Sequence, residues 1–154
     1  MFLGSLERLG TIIDAPLSSD ARTALDASLR YFREAAPKHT ADEEQSLFPR
    51  LRQIQRQELD VAVARLDALE RDHRLADSLH AEVDGLGRRA LEHGPLSALD
   101  ARRFRDHVAK LAAIYKEHIQ IEDEIVFPVA GRLLSESDKR NVAAEMAARR
   151  ELTN

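Results

Sequence analysis

Two stretches of this chain repeat one arrangement of side chains that can bind metal. His39-Thr-Ala-Asp-Glu43-Glu44-Gln-Ser-Leu47-Phe48-Pro49 and His118-Ile-Gln-Ile-Glu122-Asp123-Glu-Ile-Val126-Phe127-Pro128 both read His-x3-Glu-acid-x2-apolar-Phe-Pro. On a helix, residues i and i+4 share a face about 6 Å apart along the axis, so each His and its Glu aim at a common point. One such pair alone is commonly a solvated surface contact of small energy. The shared acid, apolar residue, Phe and Pro separate this repeat from that bland alternative, and we read both segments as ligand-bearing.

A third histidine, His73, lies in Leu69-Glu-Arg-Asp-His73-Arg-Leu75 on the helical face of Leu66 and Leu69. A lone His in such a place is usually a hydrogen-bonded core residue. Beside two ligand segments it becomes a further candidate donor. Glu70 and Asp77 flank it at i−3 and i+4, where either could accept from the imidazole N–H or serve as an extra ligand. His80 and His107 stand more than about 10 Å along their helices from the ligand level and read as core or surface histidines. His93, next to Gly94 and Pro95, reads as a helix-end residue.

The chain contains no cysteine, which excludes disulfides, iron–sulfur clusters and thiolate zinc sites. Imidazole and carboxylate donors suit iron, manganese or zinc, and paired carboxylates inside a helical bundle favour a dinuclear iron site. No His-Glu-x-x-His is present, so a zinc peptidase is disfavoured. The ferritin-like pattern needs paired Glu-x-x-His motifs, and only Glu70-Arg-Asp-His73 has that spacing.

These residues need helices to carry them. Leu3, Leu6, Leu9 and Ile13 predict a short first helix that ends before Pro16. A Ser/Asp cap near Ser19 or Asp20 opens a second, through Leu25, Leu29 and Phe32, which Pro37 should kink or restart before His39. A third runs from about Glu58 to Leu91 and closes at His93-Gly94-Pro95. The fourth spans Ser97 to Leu134, with a Pro expected to terminate each ligand-bearing helix. A short helix through Val142 and Met146 then leads to a polar tail, Arg149-Arg150-Glu151. The expected fold is therefore all-α, an up-down-up-down four-helix bundle with a short C-terminal helix, in one domain over 1–154. In that topology the second and fourth helices run in the same direction, so both ligand segments can lie at one level in the core.

Composition agrees. Aromatics make up 5% of the 154 residues, Trp is missing, and Ala, Leu, Arg and Glu dominate, which favours helix over strand. The net charge is −4 and the arginines are scattered along the helices, which argues against nucleic acid as a partner. The apolar start meets Glu7 and Arg8 too early for a signal peptide, and no run approaches the length of a membrane span. A cytoplasmic protein without membrane attachment is expected.

In these features the sequence resembles the hemerythrin-like, HHE cation-binding family, over nearly the whole chain. The resemblance implies an up-down four-helix bundle holding two non-haem iron ions, with His39, Glu43, His73, His118 and Glu122 as ligands and Glu43 and Glu122 bridging. That family also uses a His on the first helix, and here no His precedes His39. The spacing of the two repeats would put it upstream of Met1. Either the start lies upstream, with the first helix truncated, or the chain lacks one ligand and one iron is under-coordinated or missing. Zinc or manganese are alternative occupants.

The function expected from such a site is binding or sensing of a small diatomic ligand, dioxygen or nitric oxide, or iron handling. No protein partner is identifiable. An iron-dependent oxidase, peroxidase or iron-centre repair enzyme is the second reading, although no extra acid–base pair supports a substrate cleft. A metal-free helical interaction module is the third.

Overall fold

A computed structural model describes residues 2–54 and 60–151, and every regular element among them is helical. The order is α1 (Phe2–Gly10), α2 (Ser19–Glu34), α3 (Ala36–Asp42), a π-helical turn π1 (Glu43–Leu47), α4 (Phe48–Gln53), α5 (Asp60–His93), α6 (Ala98–Ile121), a second π-helical turn π2 (Glu122–Val126), α7 (Phe127–Leu133) and α8 (Glu136–Glu151). Among the described residues no helix is long and apolar enough to cross a membrane.

Local chemistry accounts for the boundaries. Ser18, one residue before the expected caps, accepts a hydrogen bond from Ala21 N–H and opens α2. Pro37 occupies the first turn of α3, where its missing N–H costs nothing, so the helix restarts there as expected. Ser97 caps α6 by accepting from Asp100 N–H, and Gly94 follows α5 with φ of 89°, a conformation open mainly to glycine. The first helix ends at Gly10, so Ile13 lies beyond it yet is fully buried. The expected start of the third helix, at Glu58 and Leu59, lies outside the described residues.

Pro49 and Pro128 do not terminate their helices. A proline inside a helix lacks a donor, and its ring clashes with the carbonyl four residues back. The chain avoids the clash by widening one turn. Phe48 N–H bonds to Glu43 C=O and Phe127 N–H to Glu122 C=O, each an i→i−5 bond, and the helix then continues as α4 or α7. Glu43 and Glu122, the glutamates of the two repeats, therefore each open a π-helical turn.

The chain forms two compact units. One comprises the residues up to Ala35 with Arg74–Tyr115, and the other comprises Ala36–His73 with the residues from Lys116 onward. The first is built on Leu6, Leu9, Leu25, Leu29, Val83, Phe104 and Leu111, with Phe32 and Tyr115 packed against them. The second is built on Phe48, Leu51, Leu66, Leu69, Val126 and Leu134. All five expected metal ligands belong to the second unit.

The end of the chain departs from expectation. Arg149-Arg150-Glu151 is not a loose tail but the last turn of α8. Arg149 and Arg150 donate to the two oxygens of the buried Asp42, at 2.9 and 2.7 Å, and Arg149 also reaches Ser46 Oγ at 2.7 Å. Arg50 grips Glu145 through two nitrogens at 2.7 and 3.1 Å. The final helix is thus pinned across α3 and π1, on either side of Glu43.

Candidate metal centre

Four side chains converge inside the second unit. Glu43, His73, His118 and Glu122 are all buried, and one donor atom from each lies within 4.8 Å of the others. They come from π1, α5, α6 and π2. His73 Nε2 stands 3.1 Å from His118 Nε2 and 3.1 Å from Glu43 Oε2, and His118 Nε2 is 2.9 Å from Glu122 Oε1. The fifth expected residue, His39, sits at the margin: its Nε2 is 3.4 Å from Glu43 Oε1, but its side chain is 55% exposed and it is not one of the four.

The close contacts do not amount to a satisfied network. Neither oxygen of Glu43 nor Oε1 of Glu122 has a hydrogen-bond partner. Buried carboxylate oxygens without donors are costly in an interior. A cation among them would satisfy the oxygens and the facing imidazole lone pairs together. The residues present therefore fit a metal bound by nitrogen and oxygen, and the absence of thiolates restricts it to metals that accept such donors.

Electrostatics follow the same geometry. Burial pushes Glu43 up to about 7, with the Glu122 carboxylate adding to the rise and His73 opposing it. Burial acts on Glu122 in the same sense, but contacts with His118 and Glu43 outweigh it and hold this carboxyl below its usual range. For His73, desolvation pulls downward and the carboxylates of Glu43 and Glu44 more than compensate, leaving the pKa raised. His39 is lowered, chiefly by partial burial of its ring, so the neutral imidazole able to bind metal is favoured.

Carboxylates lie beside the far nitrogens of both rings, hydrogen-bonded only in the case of His73. His73 Nδ1 lies 2.7 Å from Glu44 Oε1, and His118 Nδ1 lies 3.6 Å from Asp72. Phe48 lies parallel to the His73 ring, with centroids 6.4 Å apart. Of the two flanking acids, Glu70 pairs with Arg52 at 2.7 Å. The signal for Glu44 was present in the sequence, since an acid follows the ligand Glu in both repeats. No such signal marked Asp42, whose role depends on two arginines over a hundred residues away.

A domain model described as hemerythrin HHE cation binding domain matches residues 2–130, and the chain belongs to this family. Comparison with curated proteins and with solved structures gives no match. The chain is therefore an all-helical protein of a metal-binding family, with a buried His2Glu2 cluster compatible with a metal ion.

Proposed function

We propose that the chain is a cytoplasmic, non-haem di-iron protein that binds or senses dioxygen or nitric oxide, or handles iron. His39, Glu43, His73, His118 and Glu122 would hold the iron through imidazole nitrogens and carboxylate oxygens. The proposal includes an up-down four-helix arrangement acting as a single domain, consistent with a family match that runs through both units. The observation that carries it is the buried set of two imidazoles and two carboxylates with three carboxylate oxygens lacking any donor.

Iron held by such donors supplies a redox-active centre with affinity for small diatomic molecules. The protein's own part is to hold the donors at one depth, keep them dry, and orient the His73 imidazole through Glu44. His39, at the exposed margin, supports a second and more exchangeable position beside Glu43.

Metal analysis of the purified chain tests this reading, joined to thermal melts and ultraviolet–visible spectra of the iron-loaded protein before and after air or nitric oxide. Two iron ions per chain, a higher melting temperature on loading and a spectral response to the gas are expected. Retention of no iron, manganese or zinc, with an unchanged melt, would leave a helical interaction module instead.

A further inference from the structure

Among the described residues outside the His2Glu2 cluster, two partly buried titratable side chains are joined by a hydrogen bond. His80 Nε2 and the Tyr115 hydroxyl are 2.7 Å apart in the first unit. Phe32 stacks on His80 with ring centroids at 4.5 Å and lies 6.4 Å from the Tyr115 ring. From Phe32 the aromatic series runs to Tyr31 at 5.2 Å, and Tyr31 is 43% exposed. The two tyrosines are the only ones in a chain that has neither tryptophan nor cysteine.

A phenol that loses an electron becomes strongly acidic, so its oxidation is uphill unless a base takes the proton at the same moment. The base must already be within hydrogen-bond reach, and His80 is. Burial pushes His80 down to about 4 and, together with Asp77 and Tyr31, pushes Tyr115 up to about 12. At neutral pH the pair is thus a phenol donating to a neutral imidazole, the protonation state from which coupled transfer starts. The stacked Phe32 ring keeps water from the imidazole face.

We propose that Tyr115 and His80 form a proton-coupled one-electron donor site, which yields an electron to a high-potential one-electron oxidant and is connected to the surface through Phe32 and Tyr31. The Tyr115 O–H bond breaks. The electron passes to the oxidant, which is reduced by one unit, and the proton moves to His80 Nε2. A neutral phenoxyl radical and an imidazolium remain, and an electron returning through Tyr31 reverses both transfers. The oxidant is external to the chain, so the donor site does not rest on the proposed function.

The test uses the full chain equilibrated with zinc, which is redox-inert, and photogenerated tris(bipyridine)ruthenium(III) as oxidant. Transient absorption and electron paramagnetic resonance read the tyrosyl radical. A long-lived radical is expected in the wild type and in Tyr31→Phe, and it should be lost in Tyr115→Phe. His80→Gln keeps an acceptor of similar reach but no base, and should slow formation of the Tyr115 radical about a hundredfold. Formation in the wild type should also slow in deuterated water, which tests the coupling without any substitution. A radical confined to Tyr31, an unchanged rate in His80→Gln, or no solvent isotope effect would each overturn the proposal.

Discussion

His73 Nε2 and His118 Nε2 face each other at 3.1 Å inside the protein, closer than two unshared lone pairs would rest. An N–H of one ring donating to the other, or a cation held by both, accounts for that distance. The donor-less oxygens of Glu43 and Glu122 within the same 4.8 Å cluster favour the cation.

The cluster should therefore trade stability for binding. Glu43→Gln removes a buried carboxylate with no donor on either oxygen, so the metal-free variant should melt higher than the metal-free wild type at neutral pH. The same variant should lose most of the rise in melting temperature that iron produces. Paired melts with and without iron check both halves, and a metal-free variant that melts lower would contradict the account.

Glu44 touches only the far nitrogen of His73, so its effect should be on affinity alone. Glu44→Gln is expected to weaken metal binding about 10- to 100-fold while leaving the fold intact. Competition titration against a chelator measures this, and unchanged affinity would remove Glu44 from the site.

His80 predicts an acid-side loss of stability. Its pKa is about 4 in the folded protein, against 6.5 for the ordinary side chain, so the unfolded chain takes up the proton first. Stability from this group is complete above the unfolded value and is lost as pH falls from there to the folded value. Between about pH 7 and about pH 4 the wild type should lose on the order of 3 kcal/mol more than His80→Gln. Urea unfolding at a series of pH values reads the difference, and parallel curves would refute it.

Asp42 is 1% exposed and holds both Arg149 and Arg150. Asp42→Ala removes the carboxylate from a partly buried charge network and is expected to cost about 3 kcal/mol. Amide hydrogen exchange should quicken in α8 first, because its last turn loses that anchor. Exchange in α8 equal to the wild type would mean that Arg50 and Glu145 hold the helix alone.

Much of the cluster could be read directly from the chain. The His-x3-Glu repeat singled out Glu43, His118 and Glu122, which the fold gathers, together with His39, which stays at the margin, and the position of His73 beside Leu66 and Leu69 put it on the same inward face, because helical periodicity is a local property that spacing reveals. The π-helical turns were harder to see. Proline reads as a stop, yet at Pro49 and Pro128 the surrounding apolar contacts make it more favourable to widen a turn and continue.

By itself, the sequence determined the helical class, the lack of thiolates and the spacing that pairs each His with its Glu, since each follows from residue type and separation along one helix. Only the tertiary structure decided that Glu44 rather than Glu70 serves His73, that Arg149 and Arg150 close over Asp42, and that His80 meets Tyr115. Each of these is a contact between distant segments, set by how helices pack, and packing depends on all the side chains at once.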